Sequence, residues 1–126
     1  MNIPDNLKYT KDHEWIKIDG DIATIGITSF AQRELGDIVY VDIDTIGDVL
    51  EREKVFGTIE AVKTVSDLFM PISGIVEEKN EELMNNPQLI NESPYDKGWI
   101  IKIKNPNLVE LKDLLSAEEY KKELGI

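Results

Sequence analysis

The chain has 126 residues, 41% hydrophobic and 31% charged, enough to bury one core and too evenly mixed for a large disordered part. Its net charge of −11 argues against nucleic acid or anionic membrane as a partner and suits contact with basic patches on other proteins. With no cysteine and one histidine, His13, it has no disulfide, thiolate metal site or thiol nucleophile, so redox or acyl-transfer chemistry has to arrive on a cofactor.

In chain order, Trp15–Ile18 and Ile22–Ile27 read as strands joined at Asp19-Gly20, a favoured two-residue hairpin turn. Ala23, Ile25 and Ile27 alternate onto one face, as a half-buried strand requires. A short helix is expected near 29–35, with Ser29 and Gln32 as a capping box and Gly36 ending it. Strands follow over Asp37–Ile43 and Lys54–Val62, and Met70 before Pro71 must be extended. Gly98–Ile103 reads as a late strand with Trp99, Ile101 and Ile103 on one face.

The tail, about 107–125, reads as helical segments packed on the β body. Leu108, Leu111, Leu114 and Leu115 have near-helical spacing, and Ser116 with Glu119 forms a capping box for a last helix that Gly125 ends. No apolar run approaches the length of a membrane span and no secretory leader pattern is present, so the chain is expected in the cytoplasm and off the membrane.

A weak internal repeat runs through the middle. Leu35-Gly36-Asp37-Ile38-Val39 resembles Ile72-Ser73-Gly74-Ile75-Val76, Val49-Leu50-Glu51 resembles Leu89-Ile90-Asn91, and Gly57-Thr58-Ile59 resembles Gly98-Trp99-Ile100. Two such strand sets predict a mainly β, quasi-two-fold structure whose connecting segment is exposed.

That segment is Glu60-Ala61-Val62-Lys63-Thr64-Val65-Ser66-Asp67. A lysine at the tip of a tight β-turn is a poor nucleophile in itself but a good amide anchor once a ligase supplies an activated acyl group. From spacing alone Lys63 is an ordinary turn lysine. The blocks around it change that. Leu7–Thr10, His13-Glu14-Trp15, Ala23–Thr28, Ala31-Gln32, Leu35-Gly36-Asp37, Glu60–Lys63, Ser66-Asp67, Pro71–Gly74, Asn86-Pro87, Leu89–Asn91, Pro94-Tyr95 and Gly98-Trp99 occur in an order that resembles the glycine cleavage H-protein family over essentially the whole chain.

That resemblance implies a barrel-sandwich hybrid of the lipoyl-carrier type, residues 1–126 as one domain, with lipoate in amide linkage to Lys63. It implies a carrier without catalytic residues, shuttling the aminomethyl group of glycine. The arm visits three enzymes: a pyridoxal-phosphate glycine decarboxylase (P protein), a folate-dependent aminomethyltransferase (T protein) and dihydrolipoyl dehydrogenase (L protein). A lipoate ligase or lipoyltransferase is the expected modifying partner and the chain is expected as a monomer. Glu60 falls at the lipoylation-recognition position, and Glu14, Asp67 and Asp12 at those that dock the aminomethyl arm in a cleft, where carboxylates suit a protonated amine. Glu34 stands where some relatives have histidine, and Ala61 where serine is commoner.

Three alternatives share these features. An H-like lipoate relay passing lipoyl groups to other carrier domains would use the same hairpin. A biotinyl carrier would place its lysine between methionines, whereas Lys63 lies between Val62 and Thr64. An unmodified interaction module would leave Lys63 free. His13 reads as structural, with no metal site expected around it, and Trp15 and Trp99 as core or rim packing.

Overall fold

Short strands make up most of the regular structure in this computed structural model, which describes residues 1–126. The first half holds β1 (Lys8–Tyr9), β2 (Glu14–Asp19), β3 (Ile22–Ile27), helix α1 (Ser29–Leu35), β4 (Ile38–Asp42), β5 (Val49–Leu50) and β6 (Val55–Ala61). The second holds β7 (Val65–Phe69), β8 (Gly74–Lys79), helices α2 (Glu82–Asn85) and α3 (Leu89–Glu92), β9 (Ile101–Lys104), a 3-10 turn (Leu108–Asp113) and helix α4 (Ala117–Leu124). They form a six-stranded sheet in the order β1-β2-β3-β9-β8-β5 and a three-stranded sheet in the order β4-β6-β7. Two antiparallel sheets enclosing one core are the barrel-sandwich arrangement expected from the sequence.

The β2–β3 hairpin sets the register. Asp19 pairs with Ile22, so the two-residue loop is Gly20-Asp21, one residue later than the sequence suggests. Gly20 takes the positive φ of 65° that this loop needs at its first position. Ala23, Ile25 and Ile27 all point inward and are buried, as their alternation requires. They meet Ile38, Val41 and Ile59 of the facing sheet in the main core.

The first half of β2, Glu14 to Ile16, is buried on both faces. Ile16 enters the main core, while Trp15 joins Ile3, Leu7, Tyr9, Ala117 and Tyr120 in a second, aromatic cluster beneath α4. Tyr9 and Tyr120 stack with centroids 4.8 Å apart, and the Trp15 indole N–H donates to Pro94 O at 2.9 Å. Trp15 lies flat across its partner Gly26, where a Cβ would sit 2.7 Å from the indole ring. Glycine is therefore required there by the tryptophan opposite it.

The strand sets correspond where they pair: β4 with β6 and β8 with β9, both antiparallel. The similarity fails at Leu89–Asn91, which is helix α3 where Val49–Leu50 is a strand, and at Gly98–Ile100, which precedes β9 where Gly57–Ile59 lies inside β6. Other local expectations shift. Thr28, not Ser29, caps α1, its hydroxyl accepting from Ala31 N–H at 3.2 Å, which leaves the Ser29–Gln32 box unused. The late strand starts at Ile101, because Trp99 sits half-buried outside it with the Lys102 ammonium 4.8 Å over its ring. Residues 108–113 wind as a 3-10 turn, held to the sheet by Arg52 bonding Asp113 at 2.7 Å and Glu110 bonding Ser73 N–H at 2.7 Å. The Ser116–Glu119 capping box and the left-handed Gly125 end α4 as the sequence predicts. No helix is long and apolar enough to cross a membrane.

Candidate functional site

The β6–β7 hairpin places Lys63. Glu60 pairs with Val65, and Ala61 N–H donates to Thr64 O at 2.8 Å, so only Val62 and Lys63 lie beyond the last bonded pair. Val62, Lys63 and Thr64 are all exposed. The tip is braced from one side: Val62 N–H donates to Asp37 O at 3.1 Å. Asn91 of α3 fixes the segment that supplies this carbonyl, accepting from Ile38 N–H at 3.0 Å and donating to Gly36 O at 2.9 Å. The Lys63 stem runs over Gly36, where a Cβ would lie 3.7 Å from Lys63 Cε. That is ordinary contact distance, but Gly36 has φ +84°, so a side chain there would be strained by its backbone conformation.

A cleft of ≈260 Å³ lies between α1, the 12–14 segment and β7. Phe30, Ala31, Leu35, Ile27, Ile59 and Leu68 supply its apolar walls. Asp12, Glu14, Glu34 and Asp67 supply its acids, with His13 and Ser66 completing the lining. The three residues expected to dock an arm are thus brought together, and Glu34 joins them. Glu60 is not among them; it stands on the exposed face of β6 between Tyr40 and Val65, close to the tip.

The acids differ in kind. Asp12, Glu34 and Asp67 are exposed, whereas Glu14 is only 3% exposed. One Glu14 oxygen bonds the Thr10 hydroxyl at 2.9 Å and the other accepts from Phe69 N–H at 3.1 Å, tying β2 to β7. Burial pushes its carboxyl up to about 8, against the opposing pull of those hydrogen bonds, and neighbouring Asp12 pushes the same way. No cation is paired with it; the salt bridges of the chain both belong to Arg52. A carboxyl buried without a counter-charge is one that an ammonium group would stabilise in its ionised form.

His13 has φ +66° and packs on Phe30 with ring centroids 4.6 Å apart. Burial lowers its basicity, opposed by the charges of Asp12 and Glu34. Phe30 and Leu35 fall within the short helix expected from the sequence, which gave no sign that they wall a cleft. Tyr120, which bonds His13 Nδ1 at 2.8 Å, is 107 residues away and carries no sequence signal linking it to the site.

The model of the glycine cleavage H-protein family matches residues 7–125. A glycine cleavage system H protein of Bacteroides thetaiotaomicron is 57% identical over 121 residues, covering 96% of each chain. One of Staphylococcus carnosus is 52% identical over 125 residues, covering 99% of each. Among solved structures, a glycine cleavage system H protein of Mycobacterium marinum superposes with a TM-score of 0.89 at 38% identity, covering 98% of this chain and 100% of that one.

Proposed function

This chain belongs to the glycine cleavage H-protein family, a family of lipoate carriers, and we propose that Lys63 is where it holds its lipoyl group. It is the shuttle of the glycine cleavage system, moving the aminomethyl group of glycine from the decarboxylase to the folate-dependent aminomethyltransferase and presenting the reduced arm to dihydrolipoyl dehydrogenase. The lipoate-relay alternative is not favoured, since the relatives at 50–57% identity carry the glycine cleavage name.

The observation that carries the attachment site is the braced, exposed tip with Lys63 as its second residue. A swinging arm needs a rigid base that protrudes, and the Asp37–Val62 bond provides one. When bound, lipoate supplies a dithiol–disulfide pair that accepts the one-carbon unit and the electrons. The residues present fit such a group. Asp67 lies four residues along β7 from Lys63, about 13 Å of strand, a span that a lysine stem extended by an acyl chain bridges. The cleft offers apolar walls for the chain and Glu14, Asp67 and Asp12 for a protonated amine.

In this reading the protein's own groups bind and shield and do not catalyse. Glu14 ionises as the ammonium arrives, and the walls around it keep water from a hydrolysable adduct. Glu60, on the exposed strand beside the tip, is read by the lipoate ligase or lipoyltransferase. Residues 1–126 work as one carrier unit, a cytoplasmic monomer.

Intact mass of the protein from its own cell tests this. A single lipoyl increment is expected, lost in Lys63→Arg with the fold unchanged, together with a small shift toward the anode on native gels as one positive charge is removed. An unmodified Lys63 in cells that supply lipoate and ligase overturns it.

A further inference from the structure

Resting on the docking role assigned to the cleft, we infer that His13 is a further arm-binding residue, held as a neutral Nε2–H donor by the hydroxyl of Tyr120 on the C-terminal helix.

The warrant is a hydrogen-bond relay whose direction is determined by counting protons. Tyr120 Oη lies 2.8 Å from His13 Nδ1 and 2.8 Å from Thr28 Oγ1, and Thr28 Oγ1 also accepts from Ala31 N–H as the cap of α1. Both Thr28 and Tyr120 are 0% exposed, so water does not complete the set. In one polarity Thr28 donates to Tyr120 and Tyr120 donates to His13 Nδ1, and each hydroxyl proton is used. In the other, His13 Nδ1–H donates to Tyr120 and Tyr120 to Thr28, which strands the Thr28 proton in the interior without an acceptor. An unmade buried bond is disfavoured, so the first polarity holds.

That polarity places the imidazole proton on Nε2. Nδ1 is the ring nitrogen with a protein partner, which leaves Nε2–H free, on a residue that lines the arm cleft beside Phe30. The charged or titratable groups facing His13 are Asp12 and Glu14 on either side of it in the chain, Glu34 from α1, Asp67 across the cleft, and Tyr120 from α4. Burial lowers the basicity of the ring, opposed by the charges of Asp12 and Glu34. A cleft lined by acids alone would bind any small cation. A neutral donor among them adds a contact for an acceptor on the arm, sulfur or amide oxygen, that a free ammonium ion lacks. Tyr120 touches no part of this space and is a positioning residue. It also bonds both the 13 position and the cap of α1, so α4 fixes two walls of the cleft with one hydroxyl.

The chain has a single histidine, so imidazole ¹⁵N NMR reports on His13 alone. In the unmodified protein, Nδ1 is expected unprotonated and Nε2 protonated at neutral pH. Tyr120→Phe, which keeps the ring stacked on Tyr9, is expected to lose that tautomer preference and move the titration of His13. In the lipoylated protein loaded with the aminomethyl group and freed of partner enzymes, ammonia release measures how long the adduct is sheltered. Tyr120→Phe is expected to shorten that lifetime about five-fold, the weight of one net hydrogen bond. His13→Gln, whose amide places a donor near Nε2, is expected to retain it, and His13→Leu to lose it. Unchanged tautomers in Tyr120→Phe overturn the relay. Equal lifetimes in all four proteins, with the wild type still sheltered, overturn the contact to the arm. A wild-type adduct no longer lived than a free lipoamide adduct overturns the docking role itself, and the assignment of His13 with it.

Discussion

Lys63 and Glu14 are both ionisable side chains on strand-bounded segments, yet their surroundings have nothing in common. Lys63 stands exposed at a tip of two residues, its stem passing over Gly36. Glu14 is 3% exposed, bonded to Thr10 and Phe69, at the end of β2 that is packed on both faces. The tip is therefore open to contact by other molecules, and the cleft is set by what the fold excludes. A change at the tip should alter modification and leave stability alone. A change at the cleft should alter stability and leave modification alone.

The widest separation is expected from Lys63→Arg, which removes all lipoylation while shifting stability by no more than about 0.5 kcal/mol, the range of exposed substitutions. Mass spectrometry and urea denaturation read the two together; a large loss of stability would break the comparison. At the other pole, Trp15→Ala removes a buried indole from the back of the strand that carries Glu14. It is expected to cost about 3–5 kcal/mol, while the fraction of the variant that folds still accepts lipoate in a ligase assay.

Glu14→Gln sharpens the contrast through pH. Folded Glu14 is raised to about 8 from an ordinary 4.5, so the folded state keeps a proton that the unfolded chain gives up between those values. Its contribution to stability is full below pH 4.5 and is lost as pH rises through 8, at a slope of at most about 1.4 kcal/mol per pH unit. Subtracting the denaturation midpoints of Glu14→Gln from those of wild type across pH 5–8 isolates that slope; parallel curves would show that Glu14 is ionised in the empty cleft. The smallest effect belongs to Val62→Ser. With Val62 76% exposed, stability is expected to stay within about 0.5 kcal/mol, and any change in ligase rate then reports recognition of the tip alone.

Lys63, Glu60 and the acids at 12, 14 and 67 were all named from residue pattern and family resemblance, and the fold brings three of the four acids into one cleft. Thr10, Phe30, Tyr120 and Asn91 were not named as site residues. Thr10 bonds Glu14 only four residues on, but the other three act through partners farther away: Phe30 packs on His13, Asn91 supports a tip 28 residues earlier through Gly36 and Asp37, and Tyr120 reaches His13 across 107 positions. Local pattern also misplaced the α1 cap by one residue. Thr28 and Ser29 are chemically interchangeable caps, and the choice rested on where β3 ends.

What the sequence by itself determined was whatever depends on nearest neighbours along the chain. Alternation placed Ala23, Ile25 and Ile27 inward, the Ser116–Glu119 box opened α4, and the hairpin around Lys63 put that lysine outside. The environment of Glu14 was decided only by the tertiary structure. A carboxylate in a chain with 25 acids reads as solvated until β7 and α1 close over it, because desolvation is a property of the space around a group and not of its sequence neighbours. The same holds for His13, whose proton position follows from a hydroxyl delivered by the far end of the chain.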